Sequence, residues 1–65
     1  MPSPSFYLQI LSETRCVLRR DGAEEEQEFR NVQAALQYAQ ALPDTEGSRV
    51  QVHDEKGQLF MHVTL

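Results

Sequence analysis

The chain has 65 residues, enough for one domain, and a core of this size supplies only about 3–5 kcal/mol of net stability. Cys16 is the only cysteine, which excludes an internal disulfide. With 10 acidic against 6 basic side chains the formal net charge is -4, a balance that disfavours sequence-independent binding to a phosphate backbone.

Hydrophobic residues make up 40% of the chain, enough to drive folding. No apolar run approaches the ~18 residues of a membrane span. The opening Met-Pro-Ser-Pro-Ser lacks the basic and apolar segments of an export signal. With one unpaired cysteine, the reading is a cytoplasmic protein without membrane contact.

Residues 1–5, with two prolines and two serines, read as a flexible arm. Residues 6–11 read as a strand with Phe6, Leu8 and Ile10 on one face and Tyr7, Gln9 and Leu11 on the other. Ser12-Glu13 makes a turn, and residues 14–20 form a second strand. There Cys16 and Leu18 share one face, while Arg15, Val17 and Arg19 share the other. Asp21-Gly22 is a strong turn signal. Residues 23–29 are rich in glutamate and carry no helical apolar stripe. They are placed as a partial, charged edge strand against the second strand.

Asn31 is a good helix cap, and Val32, Ala35, Leu36, Ala39 and Leu42 recur at helical spacing until Pro43 ends the helix. Residues 49–53 form the next strand, with Val50 and Val52 alternating. Asp54-Glu55-Lys56-Gly57 predicts a bulged turn into a last strand at 58–65. With that turn Val52 faces Phe60 and Val50 faces His62, so Leu59, Met61, Val63 and Leu65 share the other face with His53 and Gln51. A two-residue turn would instead group Val50 and Val52 with Leu59 and Met61, and leave Phe60 open. One helix covers one face only, so either register leaves an apolar row over.

No constellation carries catalysis. The three glycines stand in separate turns, so no phosphate-cradling loop exists. His53 and His62 lack a third ligand of matching geometry, so no metal site is expected. Cys16, in mid-strand, reads as a buried structural thiol. Arg15 and Arg19, with Tyr7 as neighbour, form a candidate nucleic-acid face. The ordinary reading is stronger: the glutamates at 24, 25, 26 and 28 pair with these arginines across the Asp21-Gly22 turn.

Phe29-Arg30-Asn31-Val32-Gln33-Ala34-Ala35-Leu36-Gln37-Tyr38-Ala39 and Val50-Gln51-Val52-His53-Asp54-Glu55-Lys56-Gly57-Gln58-Leu59 carry a pattern of phenylalanine, polar cap, alanine-rich helix, strand ending in His, acidic turn and Gly. The pattern resembles the small bacterial DUF2188 proteins and covers the C-terminal half. The resemblance implies a ββ(β)αββ order and no activity.

The expectation is therefore an α+β domain over residues 6–65, an antiparallel sheet of two hairpins in ββ(β)αββ order with one helix on one face. It is a non-enzymatic interaction or regulatory module without cofactors. It self-associates as a homodimer, or binds another protein, through Leu59, Met61, Val63, Leu65 and His53. A nucleic-acid-associated protein using Arg15, Arg19 and Tyr7 is the alternative.

Overall fold

The computed structural model describes residues 4–65. The arm expected at 1–5 lies mostly outside the described residues. Ser5, the last of it, is tied to the fold, because its carbonyl accepts a 2.8 Å hydrogen bond from the Asp21 amide.

Five strands and one helix follow in chain order: β1 (Phe6–Ser12), β2 (Arg15–Arg20), β3 (Glu26–Phe29), α1 (Val32–Ala41), β4 (Arg49–His53) and β5 (Leu59–Thr64). The strands form one sheet in the order β3-β2-β1-β4-β5. β1–β2, β2–β3 and β4–β5 are antiparallel. β1 and β4 run parallel, with Phe6 beside Val50 and Leu8 beside Val52.

The fully antiparallel sheet expected from the sequence is therefore corrected to a mixed one. The reason is the parity of chain reversals. Two reversals bring β3 into line with β1, and the helix returns the chain so that β4 also leaves in that direction. Residues 26–29 do form the edge strand, paired Leu18–Gln27 and Cys16–Phe29, and this strand makes the central junction parallel.

α1 forms where the spacing predicted. The Asn31 side chain accepts a 2.7 Å hydrogen bond from the Ala34 amide, satisfying one of the orphan donors of the first turn. Ala35 and Ala39 are fully buried, and their small side chains let the helix lie close on β1, β2 and β3. Under it sit Phe6, Leu8, Cys16 and Leu18, and Val50 and Val52 of β4 continue the same core beside it. The alternation read from the sequence thus holds on β1, β2 and β4.

The C-terminal end of α1 is held by a buried hydroxyl. Thr45 Oγ1 lies 3.0 Å from the Ala39 carbonyl and 2.9 Å from that of Leu42, so its one proton is shared between two carbonyls of the helix end, that of Ala39 also accepting from the Leu42 amide. Replacing it by valine keeps the shape and deletes the donor. Thr45→Val should lower the free energy of unfolding in urea by about 1–3 kcal/mol; an unchanged midpoint would show that the hydroxyl carries no such bond.

Candidate functional site

The candidate surface has two parts, the open face of the sheet and the strand β5. Both follow from the pairing around β4.

The β4–β5 turn is the bulged turn predicted. The Asp54 amide donates to the Gln58 carbonyl at 2.9 Å, the Gly57 amide donates to the Asp54 carbonyl at 2.9 Å, and Gly57 has a φ of 82°, a conformation that only glycine adopts without strain. The Asp54 carboxylate accepts from the amides of Lys56 and Gln58 and stiffens the loop.

Beyond the turn the register departs from expectation. His53 opposes Leu59, but Val52 opposes Met61 and Val50 opposes Val63. Phe60 is the extra residue of a bulge. The expected pairs, Val52 with Phe60 and Val50 with His62, are replaced by pairs shifted by one residue. The row of Leu59, Met61, Val63 and Leu65 on one face is therefore split. Val63 and Leu65 pack partly against the core. Leu59 stays on the open face with His53, and Met61 turns to the helix side. Leu59, Phe60 and Met61 are 50%, 66% and 39% exposed. Phe60, which the bulged-turn reading placed against Val52, is the most exposed of them.

The pairings on the open face run as two rows. Glu26, Arg19, Tyr7, Gln51 and His62 form one, and Glu28, Val17, Gln9, His53 and Leu59 the next. The Arg19 guanidinium sits 5.6 Å from the centre of the Tyr7 ring. On the β4 side, Tyr7 stacks on His53 with ring centroids 4.2 Å apart. Tyr7 Oη donates to Gln9 Oε1 at 3.1 Å, and Gln9 Nε2 donates to the Asp54 carbonyl, tying β1 to the root of the last turn. His53 Nδ1 is buried in this stack, with no hydrogen-bond partner among the described residues.

Arg19 and Tyr7 are neighbours, as the sequence suggested, whereas Arg15 lies at the other end of β2 beside Ser12, away from the ring. Both arginines have glutamate partners. Arg15 Nε meets Glu28 Oε1 at 2.6 Å, and Arg19 reaches Glu26 at 3.8 Å. The hydrogen bond and charge of Glu28 raise the Arg15 pKa further above its ordinary value. Glu24 and Glu25, expected to share in this pairing, precede β3. The guanidiniums therefore face carboxylates across the strand pair, which weakens any field that would attract phosphate.

His53 and His62 come to the same open face, as the tighter of the two registers implied. Among the described residues no group of three His, Cys, Asp or Glu side chains could hold a metal ion. Also among them, no helix is long and apolar enough to cross a membrane.

Cys16 is buried between Phe29 and Ile10 in the register. Burial, and then the charge of Glu28, push its thiol pKa up, so the reactive thiolate is suppressed. Cys16 should resist iodoacetamide in native protein at neutral pH and label fully in denaturant. Native labelling at the rate of a free thiol would remove it from the core.

No protein-family model, curated protein or solved structure matches this chain.

Proposed function

We propose that the chain is a non-catalytic interaction module that self-associates through its sheet. One observation carries this reading: three consecutive large apolar side chains, Leu59, Phe60 and Met61, stand exposed on β5, a strand that among the described residues has a neighbour on one side only. Water is a poor solvent for such a surface, and strand edges that remain unpaired recruit further strands. The resemblance of residues 29–39 and 50–59 to DUF2188 proteins brings no activity with it and is compatible with a module of this kind.

A second reading, association with single-stranded nucleic acid through Arg15, Arg19 and Tyr7, draws on the guanidinium stacked over an aromatic ring. The ion pairs with Glu28 and Glu26 weigh against it. Absence of single-stranded RNA or DNA binding at low salt, where charge attraction is strongest, would dispose of it.

Sedimentation equilibrium tests the leading reading. The expected result is a reversible, concentration-dependent dimer, and a pure monomer at the highest attainable concentration would overturn it. Phe60→Lys should raise the dimer dissociation constant about tenfold or more, since burial of a Phe side chain contributes roughly 1.5–3 kcal/mol. The monomer fold should survive that change, because Phe60 lies outside the core.

A further inference from the structure

The two edges of the sheet are unlike. β3 has four residues, two of them glutamates, with two more glutamates just before it. Pairing β3 with its own copy would set Glu26 and Glu28 among like charges, which is unfavourable across a strand pair. Residues 58–65 contain no Asp, Glu, Lys or Arg at all. On a chain of net charge -4, the β5 edge is the one where two copies approach without setting charge on charge. Pairing β3 with β5 would make a heterologous contact that leaves a free edge at each end and keeps growing, whereas β5 against β5 closes on itself.

The backbone limits how β5 is used. The Leu65 amide donates to the Ser48 carbonyl at 2.8 Å, and the Leu65 carbonyl accepts from the Gly47 amide at 2.9 Å. Leu65 therefore turns its backbone groups toward β4. Bonded and non-bonded pairs alternate along an antiparallel ladder. Counting back through the pairs Val50–Val63 and Val52–Met61, Val63 and Met61 also turn inward. His62 and Thr64 then turn their N–H and C=O groups outward along the free edge.

We propose that a second copy of this chain docks on β5 in antiparallel sense, about a twofold axis through His62, and that the two five-stranded sheets become one. This inference rests on the self-association reading and names its seam. Outward groups bond only to outward groups, so the axis passes through a residue and not between two. An axis through His62 opposes His62 to its own copy, Thr64 to the second copy's Phe60, and Met61 to the second copy's Val63. All of residues 60–64 are then used, and Met61 gains an apolar neighbour on the helix side. An axis through Val63 leaves Phe60 beyond the paired segment. One through Met61 relies on Phe60, the bulged residue, for half of every bonded pair within β5, whereas the His62 axis keeps its central pair, His62 with its own copy, free of the bulge. The antiparallel sense also sends the Asp54-Glu55 turn of each copy toward the end of the other where Arg49 opposes Thr64. A parallel sense would bring the two acidic turns together.

Cross-linking tests the seam. In a bonded antiparallel pair the Cα atoms stand about 5.5 Å apart, within the range that a disulfide spans. Under a glutathione redox buffer, His62→Cys should form a disulfide-linked dimer. The native chain, whose one thiol is buried, should not, nor should Leu11→Cys, which lies on the open face. In exchange measurements on the native chain, the His62 and Thr64 amides should slow by on the order of tenfold or more as concentration crosses the dimer range. A dimer that sediments normally but cross-links through Leu11→Cys, or leaves both amides fast, overturns the edge seam and spares self-association. Cross-linking through Val63→Cys in place of His62→Cys overturns the axis. Monomer at every concentration, with no cross-link, sinks both readings.

Discussion

The structure depends on β1 having neighbours on both sides. Leu8 is fully buried at its middle, flanked by Leu18 on β2 and Val52 on β4, and among the described residues the β1–β4 ladder is the only strand pairing that joins the first three strands to the last two. That ladder is parallel, so it cannot come from a tight turn and needs a crossover. The segment from β3 through α1 to β4 supplies one, and α1 covers the apolar face of the three strands that it passes over. Core, topology and open face follow from this single junction.

α1 lies on β1, β2 and β3, while β5 stands at the far side of the sheet from them. Val50 and Val52 are sealed by their strand neighbours and by partly buried residues such as Val63 and Leu65. The segment at 59–61 has no comparable cover. The unevenness is a matter of length. A helix of ten residues spans about 15 Å and the sheet is five strands wide. The surface argued to carry function is the part of the sheet that one short helix does not reach.

Much of this was legible in the residues. Asn31, the spacing of Val32, Ala35 and Ala39, and the turns at Gly22 and Gly57 depend on local chemistry, and local patterns express them. The burial of Cys16 and the pairing of Arg15 and Arg19 with glutamates followed from simple alternation. Two features did not follow. The parallel junction depends on β4 taking the place beside β1, a choice between strands far apart in the chain that no local pattern expresses. The bulge at Phe60 left no mark, because Leu59, Phe60 and Met61 are all large and apolar and alternation cannot say which one is extra. That slip exchanged the fates of residues on either side of it: Val63 and Leu65 went to the core's margin, and Phe60 came to the surface. The stack of Tyr7 on His53 was hidden for the first reason, since it exists only where β1 meets β4.

The tyrosines give the molecule two built-in optical probes. The chain has no tryptophan and only Tyr7 and Tyr38 as phenols. Tyr7 lies between His53 and Arg19 at the β1–β4 junction, whereas Tyr38 tilts against Phe29 at 5.2 Å where the helix meets the edge strand. Their near-ultraviolet signals therefore report on separate events, the closing of the sheet and the docking of the helix. A chain that folds in one cooperative step gives both signals a single time course, and a chain that assembles its two parts in turn separates them.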